Sequence, residues 1–204
     1  MSKKVTIIEE KEDYKKAIFK VIAARLQHEK YDGTMSDEMM RLNLERGDAV
    51  AAIMHNAVDD TILLIEQFRY PTYGKTGNGW IVELPAGIVE EGEDPAYTMD
   101  REIQEETGVR AGALRHIYTF FLSPGGSSER IFLFYGSLDV SQKVEIGGVK
   151  AEHEDIRTIV MPVDDALEKL KNREIQDAKT ILALQWLMLN RKALARFNDE
   201  HQLS

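Results

Sequence analysis

The chain contains no cysteine, which removes disulfides, thiolate metal sites and cysteine nucleophiles together. Basic residues are in deficit: 26 Lys and Arg stand against 35 Asp and Glu, a net charge of -9. Such a surface repels a polyphosphate backbone, so no nucleic-acid polymer is expected as a partner. An anionic small molecule is still compatible where a few arginines or bound cations neutralise it locally. No apolar run approaches the ~18 residues that a membrane-spanning helix requires. The first residues, MSKKVTIIEEKEDYKK, carry charges where a secretory signal needs an apolar stretch. The expectation is a cytoplasmic protein with no membrane partner. Proline and glycine are thinly spread, and no repeat or low-complexity tract is apparent. What is present, 43% hydrophobic and 30% charged residues over 204 positions, suits a core-forming domain with an appendage rather than disorder.

Residues 1–46 read as one block. Asp32-Gly33 is a strong hairpin signal, and Met40, Leu42 and Leu44 alternate with Arg41, Asn43 and Glu45 as in a strand with one buried face. Before the turn, Tyr14, Ile18, Ile22 and Leu26 suit a helix while Phe19, Val21 and Ala23 suit a strand. A hairpin needs two strands, so the reading is strand. From Asp48 the pattern gives short strands at Ala49 to Met54, Thr61 to Phe68, Trp80 to Leu84, His116 to Leu122, Ile131 to Gly136 and Ile156 to Met161. Asp94-Pro95 opens a helix that ends at Gly108. The segment from Ser141 to Asp155 reads as a long loop. Two helices close the chain, the second with Ile181, Leu182, Leu184, Trp186 and Leu189 as its apolar face. Mixed strands with few helices give an α+β layered class.

Within the helix after Asp94, Glu102, Glu105 and Glu106 stand at i, i+3 and i+4, so their carboxylates share a face. Three like charges so close destabilise an isolated helix. A hard divalent cation such as Mg2+ or Mn2+, which prefers clustered carboxylate oxygens, offsets them. The alternative is a solvated face laced with basic partners, to which an Arg101–Glu105 pair contributes. The five histidines show no metal-ligand spacing. Gly74-Lys75-Thr76 looks like the end of a phosphate loop, but Arg69 stands where that motif needs glycine.

The wider segment decides more. Gly87, Glu93, Arg101, Glu102, Ile103, Glu105, Glu106, Gly108 and Val109 fit G-x5-E-x7-R-E-U-x-E-E-x-G-U, U being a bulky aliphatic. A chance match in this chain is on the order of 10⁻⁷. The segment resembles the Nudix box of hydrolases that cut nucleoside diphosphates linked to another group. The stretches MSDEMMRLNLERG, LLIEQFRYP, ELPAGIVEEGE, FLSPGGSSERIFLF, EHEDI and DAKTILALQWL resemble the ADP-ribose pyrophosphatase branch and its GDP-mannose-cleaving cousins.

That resemblance implies a Nudix-type α/β/α sandwich with a mixed sheet over residues 47–204. It implies an N-terminal antiparallel β block over 1–46 that is exchanged between the subunits of a homodimer. The implied metal ligands are Glu102, Glu105, Glu106 and the Ala86 carbonyl, holding Mg2+ or Mn2+. Arg101 is implied to hold one of these carboxylates, and Glu93 to brace the loop. Glu152 is the implied general base and Glu154 the neighbouring acid, with Glu105 available to the chemistry as well. Gly147-Gly148 are read as giving the Glu152 loop freedom to close. Arg69, Ser123, Glu129 and, from the partner subunit, Arg41 are the implied substrate contacts, and Phe19 stands near a base-stacking position. The implied activity is Mg2+-dependent hydrolysis of ADP-ribose to AMP and ribose 5-phosphate. GDP-mannose or another nucleoside-diphosphate sugar is the alternative substrate. A non-catalytic nucleotide-sugar sensor is a further alternative, disfavoured because all the box carboxylates are present.

Overall fold

The computed structural model describes residues 3–138, 145–149 and 154–201. The chain divides into two compact units, Met1–Asp48 with Phe120–Arg130, and Ala49–Thr119 with Ile131–Ser204. The first therefore draws in a segment from well beyond residue 46.

In the first unit, β1 (Val5–Lys16), β2 (Phe19–His28) and β3 (Met39–Glu45) form an antiparallel sheet in that order. The strand reading of the segment before Asp32 holds. Its own turn carries no glycine: Lys16 pairs with Phe19, and Ala17 takes φ 51, a position where glycine is usual. Register shifts at Ile7/Glu9 and Glu12/Tyr14 bulge β1 and break its alternation, as bulges on edge strands do. Asp32-Gly33 turns the chain inside a longer connection. Gly33 adopts φ 82, and the Asp32 carboxylate accepts the Thr34 N–H at 2.9 Å and hydroxyl at 2.7 Å. The expected buried face of β3 is reversed: Met40 and Leu42 are 60% and 57% exposed. Leu44, Val21 and Tyr14 stand in register on that face, beside Leu42 and Ala23. Of the three strands only Ala23 is buried, since one sheet layer cannot cover its own apolar face.

In the second unit the larger sheet, among the described residues, runs β10 (Ile146–Gly147), β11 (Ile156–Pro162), β5 (Thr61–Phe68), β4 (Ala49–Asn56), β9 (Arg130–Ser137) and β8 (Arg115–Phe121). β6 (Trp80–Glu83) pairs with β5, and β7 (Ala86–Ile88) with β4. The sheet is mixed: β4 and β9 are parallel, while β5 lies antiparallel to β4, β6 and β11. Among the described residues four helices accompany it, α1 (Tyr70–Thr76), α2 (Pro95–Thr107), α3 (Val163–Lys171) and α4 (Ala178–His201). α1 occupies the Gly74-Lys75-Thr76 stretch, which is helical and not a phosphate loop.

β4 is buried along nearly its whole length, so both its faces are covered. Val50, Ala52 and Met54 join Leu63, Ile65, Met99 and Ile103 in a core under α2. Ala51 and Ile53 turn to the other face, where α4 packs on β4. The arrangement is the expected α/β/α sandwich. Of the expected apolar face of α4, Leu184 and Trp186 are buried and Ile181 and Leu182 half-buried, with Ala183 and Leu187 buried beside them, but Leu189 is 80% exposed.

A polar hub closes the end of this unit remote from β7. His55, buried on β4, has its ring nitrogens 3.2 Å from the Tyr135 hydroxyl and 3.1 Å from an Asp60 oxygen. The Asp60 carboxylate also receives the Arg191 guanidinium, whose other arm meets Asp164 at 2.5 Å. The Asp60 carbonyl accepts the Val163 N–H at 2.9 Å, and the residue sits at φ 53. One residue thereby ties β4, α3 and α4 together, through its carboxylate and its carbonyl. Asp60→Ala leaves buried His55 without its acidic partner, and a loss of roughly 1–3 kcal/mol is expected. Urea unfolding at neutral pH measures it as a lower midpoint at unchanged slope; an unmoved midpoint removes Asp60 from the structural hub.

Candidate active site

α2 is fixed at both ends by local chemistry. The Asp94 carboxylate accepts the Ala96 and Tyr97 N–H groups at 2.9 and 3.2 Å, with Pro95 at the first helical position. At the other end Gly108 takes φ 71 and its N–H donates to the Gln104 carbonyl at 2.9 Å. These stops set the helix in register. Met99, Ile103 and Glu106 then fall on its inward stripe, and all three are buried. Glu106 is thus a carboxylate standing in a core position, 2% exposed.

The three box carboxylates are not equivalent. Glu106 accepts the Ala86 N–H at 3.1 Å from β7, and no basic side chain among the described residues reaches it. Burial, opposed by that hydrogen bond and reinforced by the nearby charges of Glu102, Glu154 and Glu83, raises its pKa well above the usual carboxylate range. Glu102 lies directly over Gly87, where a Cβ would occupy the space of its carboxylate. Glu105 is turned outward to Arg101 at 2.9 Å. Arg101 does more than hold one acid: it also meets Glu102 at 2.9 Å and Glu93 at 3.8 Å. Glu93 in turn accepts the Thr98 hydroxyl at 2.7 Å, bracing the loop to the helix. Among the described residues no three carboxylates or imidazoles are gathered closely enough to enclose an ion. The donor set, all hard oxygens around a buried and unneutralised Glu106, nevertheless fits a hard divalent cation.

The end of α2 is met by the segment that carries the remaining acids. The Gly148 N–H donates to the Glu105 carbonyl at 3.1 Å, and a Cβ at Gly147 would collide with the Glu106 carbonyl. These two glycines therefore permit close approach to the helix end. Glu154 accepts the Val149 N–H at 3.0 Å, and its charge is felt by Glu106. Glu152 lies outside the described residues.

The four expected substrate residues are distributed over both units. Arg69, after β5, donates through Nε to Glu83 at 2.7 Å. Glu83, 3% exposed, also receives Lys179 at 3.3 Å, and Lys179 meets Asp177 at 2.7 Å. Asp177 caps α4 by accepting the Thr180 N–H and hydroxyl at 2.9 and 2.7 Å. Sequence reading missed this chain. Its signal was a lone acid in the apolar run WIVELP and an Asp three residues before Thr at a helix start. In the first unit Arg41 is exposed and donates to its neighbour's carbonyl, Met40, at 2.9 Å. The Ser123 carbonyl accepts the Gly126 and Ser127 N–H groups at 3.0 Å, closing the Ser-Pro-Gly-Gly turn. Glu129 is buried and paired with Arg46 at 3.3 Å, and Arg46 lies over the Phe19 ring.

Known proteins resemble the chain over most of its length. An ADP-ribose pyrophosphatase of Escherichia coli (strain K12) is 35% identical over 179 residues, 88% of this chain and 86% of the relative. One from Haemophilus influenzae is 34% identical over 171 residues, 81% and 78% of the two chains. A GDP-mannose pyrophosphatase of Escherichia coli O1:K1 / APEC is 36% identical over 166 residues, 78% and 85%. The crystal structure of an ADP compounds hydrolase superposes with a TM-score of 0.67 at 19% identity, covering 91% of this chain and 95% of that one, a likeness of fold. The NUDIX domain model matches residues 45–184, well over half of the sequence and the whole of the helix that buries Glu106, and the chain belongs to the NUDIX family.

Proposed function

We propose that this protein hydrolyses the pyrophosphate linkage of ADP-ribose, giving AMP and ribose 5-phosphate, with Mg2+ as cofactor and Mn2+ as a substitute. The observation that carries the reading is Glu106, an acid on the core stripe of α2 with the Ala86 amide and, among the described residues, no basic side chain beside it. Burying a lone carboxylate is costly unless a cation arrives. Glu102, Glu106, the Ala86 carbonyl and Glu105 are the ligands assigned to the ion, which when bound supplies Lewis-acid polarisation of the phosphoryl oxygens. Glu152 takes the proton of the attacking water, whose oxygen joins one phosphorus as the bridging P–O bond breaks. Glu154, two residues on in sequence, is tethered at Val149. Arg69 binds a substrate phosphate, with Ser123 and Glu129 contributing to the nucleoside and ribose surroundings.

A second substrate reading, GDP-mannose, is favoured by the relative that cleaves it at 36% identity. A panel of nucleoside-diphosphate sugars with Mg2+, read as phosphate released after phosphatase treatment of the products, separates the two. Turnover of none of them overturns the enzyme reading.

The partner in this reading is a second copy of the chain. The sheet of β1, β2 and β3 leaves Leu42, Leu44 and Tyr14 uncovered, and a small sheet with an open apolar face is marginal alone. A two-fold partner covers it and brings Arg41 to the neighbouring active site, where a guanidinium suits phosphate.

Three outcomes follow from this. Glu106→Gln abolishes most Mg2+-dependent activity and leaves the fold intact. The folded acid holds its proton to higher pH than the unfolded one, so Glu106 favours folding below the ordinary carboxylate pKa and costs stability as pH rises toward its raised value. The variant in EDTA is therefore more stable than the parent at neutral pH, and the advantage shrinks in acid; chemical denaturation at both pH values reads this. A fully active variant displaces the metal site from α2.

Glu152→Gln lowers kcat by roughly 10²–10⁴-fold with little change in substrate affinity, the usual worth of a general base. Single-turnover rates beside binding isotherms measure it, and a larger loss from Glu154→Gln reverses the roles of the two acids.

Light scattering reports a dimer at micromolar concentration. Mixing inactive Arg41→Ala and Glu106→Gln subunits restores part of the activity through hybrid dimers. A monomer that stays fully active on dilution eliminates both the interface and the cross-subunit role of Arg41.

A further inference from the structure

We propose that Glu83 is a positioning residue that aims Arg69 at a phosphate of the substrate, with Gln67 supplying a second donor from beneath the pair. The inference rests on the reading of Arg69 as a substrate contact. Glu83 pairs across the ladder with Ile65, and Gln67 pairs with Ile81. The Arg69 N–H continues the same ladder to the Gly79 carbonyl at 2.6 Å. Residues 65, 67 and 69 therefore share one face, and Glu83 joins it opposite Ile65. For Arg69 Nε to reach the Glu83 carboxylate at 2.7 Å, the arginine must lie back along its own strand over Gln67 and Ile81.

That posture has two consequences. Among the described residues Arg69 is held through Nε alone, so both terminal nitrogens are free to meet phosphate oxygens as a fork, and its side chain is 42% exposed. Glu83, 3% exposed, cannot swing to follow it, because Lys179 grips the other oxygen at 3.3 Å and is itself fixed by Asp177 at 2.7 Å. A guanidinium pinned through Nε has lost most of its rotamer freedom before the ligand arrives.

Gln67 supplies an independent observation pointing to a ligand. It is 6% exposed, yet among the described residues its amide nitrogen has no hydrogen-bond acceptor. A buried donor left unpaired is costly and uncommon. An anionic oxygen entering beside the Arg69 fork provides the acceptor that the protein itself withholds.

The test is steady-state kinetics with ADP-ribose on the full chain as purified, comparing Arg69→Ala, Glu83→Gln and the double variant, with thermal melts of each. Glu83→Gln keeps the shape but replaces the charge-assisted hold on the guanidinium by a neutral one, so KM rises about tenfold with kcat within about threefold, the scale of one charge-assisted hydrogen bond. In the Arg69→Ala background the same change adds less than about twofold, because the residue it acts through is gone. Gln67→Leu, which removes the donor at similar volume, also raises KM while its melting temperature holds. Glu83→Asp, which keeps the charge, recovers part of the affinity. A lower melting temperature with unchanged KM makes Glu83 a structural residue and overturns the proposal. So do multiplicative losses in the double variant. Should Glu83→Gln fail to fold, Arg69→Lys replaces it: lysine keeps the charge without the Nε donor, and a normal KM there is fatal to the idea. Normal KM in Arg69→Ala, with hydrolysis intact, removes the arginine contact and this proposal together while leaving the enzymatic reading standing. Absence of turnover in the unaltered protein removes the enzymatic reading itself.

Discussion

The second unit is organised around the burial of one carboxylate, Glu106. Its position follows from helix phase, since Asp94 and Gly108 fix where α2 begins and ends and the stripe of Met99 and Ile103 runs on to residue 106. Once an acid occupies that stripe, its neighbours are constrained. β7 must offer the Ala86 N–H to it, and Gly87 must lack a Cβ for Glu102 to lie alongside. Gly147 must likewise lack one for its strand to press on the end of the helix. Hydrophobic packing of α2 on β4 and β5 supplies the stability against which this charged core position is tolerated.

Two buried acids are treated in opposite ways. Glu83 is embraced by Arg69 and Lys179 and so is neutralised by the chain itself. Glu106 is left with a backbone amide, while Arg101 stands one turn away and spends its charge on Glu93, Glu102 and Glu105. A chain optimised for stability alone would have paired both. The contrast separates an acid whose cations the chain supplies from one left without a cation among the described residues, and it does so without any appeal to relatives.

Legibility in the sequence tracked how local the governing physics was. Both caps of α2 were readable because Asp94-Pro95 and Gly108 act on their own neighbours. β5 spans the expected Thr61 to Phe68, because apolar runs in a doubly covered strand need no alternation to be recognised. The first hairpin was obscure because its turn uses Ala17 at positive φ and its edge strand is bulged twice, which erases the period-2 signal. The outward face of β3 was misjudged for another reason: alternation says that two faces differ, not which one is covered within a single chain. Within the candidate site, the motif identified Glu102, Glu105 and Glu106 but not their inequality, because spacing gives a face and burial depends on what packs there. Glu83 and Lys179 are 96 residues apart and carry no joint pattern.

The distribution of charge also answers how an acidic protein can handle a polyanion. With a net charge of -9, long-range steering works against a nucleotide, so recognition has to be local. The second unit supplies it by fixing its cations in place beforehand: Arg101 inside a cage of three acids, Lys179 between Glu83 and Asp177, and Arg69 held at Nε. Of these, Arg69 alone is placed with terminal nitrogens uncommitted among the described residues, and it is the most exposed of the three. The most exposed of these cations is therefore also one whose geometry is already set, while Glu106 remains an acid that no basic side chain among the described residues offsets. Arg69 and Glu106 thus flank the short run from Glu83 to Ala86, which carries an acid for the first and an amide for the second.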